Sequence, residues 1–291
     1  MSRLQTPKAA DQVASYYDAN TRRFLRLGGS GETGAIHRQI WAPEVKTTDQ
    51  AFVYLNQLVS SAVQPSLHLH TPARLLDLGC GVGGTATWLA ERLGVSVVGV
   101  TNSDVQQAHA IERARRMGLG ERCQFLLADF MDLPVVGAFN AAYAIESFIH
   151  APDGRRFFDQ VSQQLLPGSR LVICDDFLAA SGESLDSNAR RWLERFRRDW
   201  QVNTLLTSSA AQELAQRAGF RFVGAIDLSD YLRSFHPLVL RTVSWLTLLP
   251  VRSAYWQNLS GGTALQVCVA RGWTKYLALI FEKEVECTPL Q

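Results

Sequence analysis

Residues 75–84 of this 291-residue chain are Leu75-Leu76-Asp77-Leu78-Gly79-Cys80-Gly81-Val82-Gly83-Gly84, an apolar run with one aspartate that leads directly into four glycines. The apolar residues predict a buried parallel strand. The glycines permit a tight turn and a close approach of the backbone to a ligand. Trp88, Leu89 and Leu93 then predict a helix. A strand, turn and helix in this order place a ligand at the carboxyl end of the strand and indicate a nucleoside cofactor.

The spacing of the glycines alone does not choose the cofactor, because Gly79, Gly81 and Gly84 also match the G-x-G-x-x-G pattern of dinucleotide-binding proteins. The next predicted strand ends in Thr101-Asn102 and lacks the carboxylate that binds the ribose of NAD. An aspartate before the turn suits a ligand with a cationic amino acid end, since it can act on the ammonium group through ordered water or the backbone. These two features favour S-adenosylmethionine.

The opening stretch resembles motif I of the class I S-adenosylmethionine-dependent methyltransferases, and further motifs follow it in that family's order. Residues 99–106 resemble the exit of the second strand in sterol, tocopherol and cyclopropane-fatty-acid type members, where small polar residues and a glutamine surround the ribose. Residues 128–130 resemble the adenine site, with a carboxylate on the exocyclic amine and a phenylalanine against the ring. The resemblance implies that the cofactor is bound by Asp77, Gly79, Gly81, Gly83, Thr101, Asn102, Gln106, Asp129, Phe130 and Ile145.

Residues 143–152 are similar to the segment after the fourth strand of sterol C-methyltransferases. A carbon–carbon double bond becomes a carbocation when it is methylated, and a nearby base must then remove a proton. Glu146 is the leading candidate for this base, in an apolar context. His150 follows four residues later and is expected either to orient Glu146 or to act as the base itself.

The amino-terminal part contains two further matches. Ser15-Tyr16-Tyr17-Asp18 resembles the opening helix of small-molecule methyltransferases, in which a tyrosine closes over the methionine end of the cofactor. The rings of Tyr16 and Tyr17 would also stabilise a carbocation held over their faces. Residues 36–41 resemble the family's histidine-to-tryptophan lid segment, with Arg38 and Gln39 in place of the usual tyrosine and glycine.

Composition limits the partners and the compartment. The net charge of +2 gives no global field for nucleic acid. Five scattered cysteines without a C-x-x-C pair suit a reducing cytosol, so we expect a cytoplasmic protein. The longest uncharged apolar stretch, residues 242–251, is too short to span a bilayer, and no stable membrane insertion is expected. No metal site is predicted; Mg²⁺ is expected only if the substrate is a diphosphate.

Alternating strands and helices after residue 72 predict an α/β fold with a Rossmann-like, seven-stranded, mainly parallel sheet. We expect residues 1–72 to form an amino-terminal helical lid and residues 73–291 to form the methyltransferase domain. Two insertions, at about 187–206 and 231–272, are expected to cap the cofactor. The predicted strands are 74–78, 96–100, 123–127, 140–144, 170–175, 221–227 and 276–282.

The two insertions carry the information on the substrate. Arg191, Arg195 and Arg198 share one helical face and would clamp a diphosphate if that face turned inward; a solvated basic face is the alternative. The second insertion is strongly apolar and indicates a hydrophobic acceptor pocket, or simply core, through Phe235, Leu238, Val239, Leu240, Trp245, Leu246, Leu248, Leu249, Trp256 and Leu259.

The sequence therefore predicts an enzyme, monomeric or homodimeric, that transfers a methyl group to a hydrophobic small molecule. C-methylation of an isoprenoid double bond is the first expectation, with Glu146 or His150 as the base. The alternative within this class is O- or N-methylation of a natural product, with His150 deprotonating a hydroxyl. A cyclase that keeps the fold but transfers no methyl group is the alternative of another class. A nucleic-acid methyltransferase is disfavoured because no basic, aromatic-rich appended domain is present.

Overall fold

The computed structural model describes residues 12–18, 20–21, 34–134, 137–180, 185–247 and 253–285. Helix α1 comprises residues 12–18 and 20–21. The remaining α-helices are α2 (Thr48–Val63), α3 (Gly84–Leu93), α4 (Asp104–Arg116), α5 (Gly154–Gln164), α6 (Ser187–Asp199), α7 (Ser208–Arg217), α8 (Pro237–Leu246) and α9 (Ala254–Ala270). The strands are β1 (Arg74–Leu78), β2 (Ser96–Thr101), β3 (Cys123–Leu127), β4 (Phe139–Ile145), β5 (Leu165–Leu178), β6 (Phe220–Asp227) and β7 (Thr274–Lys283).

The seven strands form one sheet in the order β3-β2-β1-β4-β5-β7-β6. The first five strands of that order pair in parallel, whereas β7 runs antiparallel to both of its neighbours. The predicted α/β fold is thus confirmed. Strand β5 begins five residues earlier than predicted, because Leu165 pairs with Phe139 ahead of a register shift. The sequence pattern does not predict this extension, because Pro167 and Gly168 interrupt the apolar run.

Side chains alternate between two cores, one on each face of the sheet, as the period of a β-strand requires. Leu76, Leu78 and Val98 face one core with the phenylalanines of α5. Leu75 and Val97 face the other, where they meet α2 and α3. Both faces of the central strands are therefore buried, and the carboxyl edge of the sheet is left to form a site.

The glycine turn is fixed by close packing. The N–H groups of Gly79 and Cys80 both donate to the carbonyl oxygen of Val100, each at 2.9 Å. Gly83 caps α3 in a left-handed conformation (φ 76°), and a Cβ there would lie 2.8 Å from Cζ of Phe125. Glycine at this position therefore lets the start of α3 approach β3 closely.

The two insertions form a helical cap. Helices α6 and α9 pack closely, and a Cβ on Gly261 of α9 would overlap the ring of Trp200 at the end of α6. Trp200 also donates from Nε1 to the carbonyl oxygen of Asn258 at 3.0 Å. Across the described parts of the chain, no helix is long and apolar enough to cross a membrane.

Candidate active site

A cavity lies at the carboxyl ends of the parallel strands, beneath α1, the lid segment (residues 36–41) and the cap residues Trp200 and Asn258. It brings together twelve of the fourteen residues that the sequence predicted. These are Tyr16, Tyr17, Gly79, Gly81, Thr101, Asn102, Gln106, Asp129, Phe130, Ile145, Glu146 and His150. Asp77 lines a smaller adjoining cavity under the glycine turn, and Gly83 packs against Phe125 instead of lining either cavity.

The glycine turn leaves room for a ligand. Gly81 has a φ of 53°, and a Cβ there would meet only the Ile36 side chain, at 3.6 Å, on the cavity side. Gly79 has a φ of 83°, and a Cβ there would overlap Cβ of Ser147. The Ser147 hydroxyl donates to the carbonyl oxygen of Leu78 at 2.5 Å and joins β1 to the segment after β4. These contacts fit a cofactor pressed against bare backbone.

Asp77 is buried directly beneath this turn. Its Oδ2 accepts a hydrogen bond of 2.9 Å from the hydroxyl of Tyr143. Burial raises the pKa of Asp77 to about 7, although the Tyr143 hydrogen bond opposes this rise. A cationic group bound above the turn would favour the charged carboxylate.

The opposite end of the cavity carries the residues predicted for the nucleoside. Thr101 donates from Oγ1 to Oε1 of Gln106 at 3.0 Å, which fixes the glutamine at the start of α4. Asp129 accepts from the backbone N–H of Met131 at 2.8 Å through Oδ1. The Phe130 ring packs edge-on against Phe157, with centroids 5.7 Å apart. Two polar side chains and one aromatic ring are thus held in fixed orientations around this end.

His150 is buried and has a partner at each ring nitrogen. Nδ1 lies 3.1 Å from the carbonyl oxygen of Gln201, which can only accept, so Nδ1 carries the proton. Nε2 lies 2.9 Å from the hydroxyl of Tyr17 and accepts from it. Burial lowers the pKa of His150. The histidine is therefore neutral at neutral pH, with the Nε2 lone pair directed at a hydroxyl.

The partner of His150 is held in an unusual backbone conformation. Gln201 follows α6 with a φ of 54°, a left-handed conformation more commonly taken by glycine at a helix end. Val202 donates from its backbone N–H to the carbonyl of Arg197 at 2.9 Å and completes this helix stop. Asn203 donates from Nδ2 to the carbonyl of His150 at 2.9 Å. The end of α6 is thus fastened to the segment that carries the histidine.

Three donors converge on one carboxylate oxygen of Glu146. Its Oε1 accepts from the backbone N–H of Arg38 at 2.9 Å, from Nε of Arg38 at 3.1 Å and from the hydroxyl of Tyr276 at 2.9 Å. Burial alone would raise the pKa of Glu146, but the charge and hydrogen bonds of Arg38 lower it. Glu146 is therefore an ionised, firmly held carboxylate and a weak base. The expectation that His150 orients Glu146 is wrong, because Arg38 and Tyr276 do so.

Arg38 joins the lid segment to the sheet. Its guanidinium binds Asp176 in a bidentate arrangement, with distances of 3.1 and 2.7 Å. It also lies 4.0 Å from the centroid of the Tyr276 ring. Burial and the charge of Asp176 raise the pKa of neighbouring Asp175 well above its usual range. An arginine that departs from the family pattern thus neutralises part of an acidic cluster at the end of β5.

Sequence reasoning missed Asp175, Asp176 and Tyr276. The signal for the two aspartates was present, because they directly follow the apolar run Leu171–Cys174 just as Asp77 follows Leu75-Leu76. Tyr276 carried no comparable signal, since it lies in the apolar strand β7 and reaches the site only through the antiparallel pairing of β7 with β5.

The structure corrects the expected role of the arginines in the first insertion. None of them lines the cavity. Arg195 binds Ser260 at 2.8 Å and the carbonyl of Thr247, and Arg198 pairs with Asp199 at 2.7 Å. Arg191 is exposed. These side chains hold the cap together or face solvent, so they form no diphosphate clamp.

The apolar residues of the second insertion do not line the cavity either, and from residues 231–247 and 253–272 only Asn258 does. Leu240 is 9% exposed and packs inward, whereas Leu238 is 67% and Trp245 is 75% exposed. Phe235, Val239 and Leu246 are exposed as well, while Trp256 and Leu259 are half-buried. Leu248 and Leu249 lie outside the described residues.

Helix α1 closes the site from above through three polar contacts. Tyr17 binds His150, and Tyr16 accepts from Nδ2 of Asn258 at 2.6 Å. Asp18 accepts from the hydroxyl of Ser103, which caps α4. The helix therefore contacts the segment after β4, the cap and the exit of β2 at once.

The sheet order, the glycine turn and the cavity at the strand ends define a class I S-adenosylmethionine-dependent methyltransferase. Residues 41–221 match the family described as mycolic acid cyclopropane synthetase, and the chain belongs to this family. It is 34% identical over 241 residues to an O-methyltransferase of Pyrenophora dematioidea, covering 80% of this chain and 84% of that one.

Two solved structures share the fold. The [4+2]-cyclase SpnF is 26% identical, with a TM-score of 0.70 and coverage of 98% of this chain and 100% of that chain. The cyclopropane synthase MmaA2 from Mycobacterium tuberculosis is 18% identical, with a TM-score of 0.74 and coverage of 97% and 100%. The predictions of an enzyme and of its fold class are thus confirmed.

Proposed function

We propose that this enzyme methylates a hydroxyl group of a hydrophobic small molecule, with His150 as the general base. The observation that carries the proposal is the pair formed by His150 and Tyr17. A neutral imidazole, with its proton fixed on Gln201, already accepts a hydrogen bond from a hydroxyl inside the cavity. An acceptor hydroxyl that replaces the Tyr17 hydroxyl would meet the same lone pair.

Bound S-adenosylmethionine supplies an electrophilic methyl group on a sulfonium. Nε2 of His150 would accept the proton of the acceptor hydroxyl, and the oxygen would then take the methyl group that S-adenosylmethionine would supply. The Gln201 carbonyl stabilises the resulting imidazolium through the Nδ1 proton. A positioned base of this kind typically contributes about 10²–10⁴-fold in rate. Closure of the site beneath α1 would exclude water, which would compete for the methyl group.

Several side chains would position the two ligands. We propose that Gly79 and Gly81 receive the methionine part over Asp77, and that Gln106, Asp129 and Phe130 receive the nucleoside. The acceptor would lie between His150 and apolar residues of the same cavity, namely Val13, Ile149, Pro152 and Trp200. The O-methyltransferase relative from Pyrenophora dematioidea supports a hydroxyl acceptor.

C-methylation of an isoprenoid double bond is the second candidate. Tyr16 and Tyr17 line the cavity with their rings in a T-shaped contact, centroids 5.3 Å apart, and this would favour a cation. The ion pair with Arg38 makes Glu146 a poor base for the quenching step. A diphosphate acceptor with Mg²⁺ has little support, because the arginines of α6 point elsewhere and no metal-binding cluster occurs among the described residues.

The likeness to a [4+2]-cyclase keeps a reaction without methyl transfer as the candidate of another class. We also propose that the enzyme acts in the cytoplasm, as a monomer or homodimer. The four cysteines in the described part of the chain are free and buried, which suits a reducing compartment.

The test uses methyl-labelled S-adenosylmethionine with a panel of phenols, hydroxylated polyketides, terpenols and prenyl diphosphates. We expect label on oxygen, and a loss of about 10²-fold or more in kcat for His150→Gln with unchanged cofactor affinity. Tyr17→Phe, which keeps the ring, is the matched control and should retain most activity. Label on carbon would support the second candidate, and product without demethylated cofactor would support the cyclase. Full activity of His150→Gln would refute the base.

A further inference from the structure

The cap has a charge that sets it apart from the rest of the protein. Residues 187–206 contain five arginines against two acidic residues, and residues 231–272 contain four arginines and no acidic residue. These two segments, called the cap here, therefore carry +7. Since the whole chain carries +2, the remainder carries −5. The charge of the molecule is thus strongly divided, and the cap is its basic part.

Helix α8 adds an apolar face to this basic part. Leu238 and Trp245 lie seven residues apart on the outward side, 67% and 75% exposed. Thr242, between them on the same side, donates its hydroxyl to the carbonyl of Leu238 at 2.9 Å, so its donor is used within the helix. Leu240 lies on the opposite, inward side. The outward side of α8 is thus apolar, where a surface helix usually carries polar residues.

Further exposed apolar side chains lie near both ends of α8, and one exposed arginine lies within it. Phe235 before the helix is 48% exposed, and Tyr255 at the start of α9 is 52% exposed. Arg241, the charged residue of α8, is exposed beside the apolar stripe. Large exposed apolar side chains beside an arginine are typical of a surface that contacts a protein or a membrane. None of these side chains lines the catalytic cavity.

We propose that the cap docks on a membrane surface rich in anionic lipid, with α8 lying in the interface. Leucine, tryptophan and phenylalanine would enter the boundary between headgroups and acyl chains, and arginines would contact the lipid phosphates. Nucleic acid would be attracted by the charge but would leave the apolar stripe without a partner. With ten residues, α8 is too short to span a bilayer and suits an interfacial position.

Docking of this kind would bring the roof of the site to the phase in which hydrophobic molecules dissolve. Trp200 and Asn258, which line the cavity, belong to the end of α6 and to α9, the helix that packs on α8. The proposal does not depend on which atom the enzyme methylates.

The experiment is flotation of the full-length protein with vesicles of phosphatidylcholine alone or of an equimolar mixture with phosphatidylglycerol. We expect binding to the anionic vesicles only, and weaker binding as salt is raised. The double variant Leu238→Ser/Trp245→Ser should bind at least about tenfold more weakly, because two apolar anchors are lost. Arg241→Gln should bind about fivefold more weakly.

Matched controls lie outside the cap. Ile111→Ser removes an exposed apolar side chain from α4, and Arg122→Gln removes an exposed arginine before β3; both should bind as the wild type does. Circular dichroism and urea unfolding should show that every variant is folded.

Three results would overturn the proposal. The first is equal flotation of the wild type and the double variant. The second is a wild-type dimer in sedimentation that dissociates in the double variant, which would make this face an interface between copies. The third is vesicle-independent binding to RNA that the apolar substitutions leave unchanged.

Discussion

Replacing Asp77 by asparagine is expected to stabilise the free enzyme in neutral and alkaline solution while weakening its binding of S-adenosylmethionine. Asparagine keeps the shape of the side chain, and its carbonyl oxygen can still accept the hydrogen bond from Tyr143. What it removes is a carboxyl group that must ionise while buried. The gain in stability and the loss in binding then have one cause, the charge held under the glycine turn.

The magnitude follows from the pKa of Asp77, which burial raises from 3.8 to about 7. An acid whose pKa is raised in the folded state contributes stability that is complete below the unfolded pKa and is lost as pH rises through the folded pKa. At about 1.4 kcal/mol per pH unit, the full loss above pH 7 is about 4 kcal/mol. Most of this loss occurs between pH 5 and pH 8. Over that range the free energy of unfolding of the variant should rise by about 2 to 3 kcal/mol relative to that of the wild type.

The assay is urea unfolding of the cofactor-free wild type and Asp77→Asn at several pH values in that range. Both proteins contain the other buried acids, such as Asp175 and Asp176, so the titration of these acids drops out of the difference between the two free energies of unfolding. Glu91→Gln, a change at an exposed acid in α3, controls for the removal of one negative charge. A difference between Asp77→Asn and the wild type that stays constant or shrinks as pH rises would refute the reasoning.

Four further outcomes are expected. Arg38→Gln should lower the free energy of unfolding by about 3 kcal/mol, because it leaves Glu146 and Asp176 unpaired in the interior; Arg38→Gln/Asp176→Asn should recover part of the loss in the same urea titration. The acid limb of kcat/KM should lie below the usual histidine value of 6.5, because burial lowers the pKa of His150 and the neutral form is the active one; a limb above that value would contradict the assignment. Gln201→Gly should raise the stability by about 1 kcal/mol and keep activity, since glycine adopts the left-handed conformation without strain while the carbonyl that holds His150 remains. Gly261→Ala should cost about 1 to 3 kcal/mol by forcing α9 away from Trp200, and an unchanged melting temperature would show that the two helices separate freely.

The sheet could be predicted from the sequence because strand burial is encoded locally. Leu75 and Leu76 face opposite cores, so the run around them had to be apolar throughout. The glycine turn could be predicted for the same reason, because its own residues encode it. Three of its four glycines have a positive φ, which other residues adopt only at a cost in energy. The twelve predicted residues that meet in the cavity all lie on α1 or close to the end of a strand.

The parts that could not be predicted depend on long-range contacts. Arg38 and Asp176 are 138 positions apart, and their pairing is decided only when the lid segment crosses the end of β5. Leu238 and Trp245 were expected in a pocket or in the core, because apolar side chains usually lie inside. Their outward position follows from the packing of α8 against α9 with Leu240 turned inward, and no local pattern reports it.

The contacts of α1 imply that turnover includes a conformational change of this helix. The cavity that would hold the cofactor lies beneath this helix, so exchange of spent for fresh cofactor would require α1 to move away from Asn258 and Ser103, which Tyr16 and Asp18 contact. Release steps of this kind, rather than bond making, often limit kcat. We therefore expect a burst of product in the first turnover, and a steady rate that rises when Asn258 is replaced by alanine.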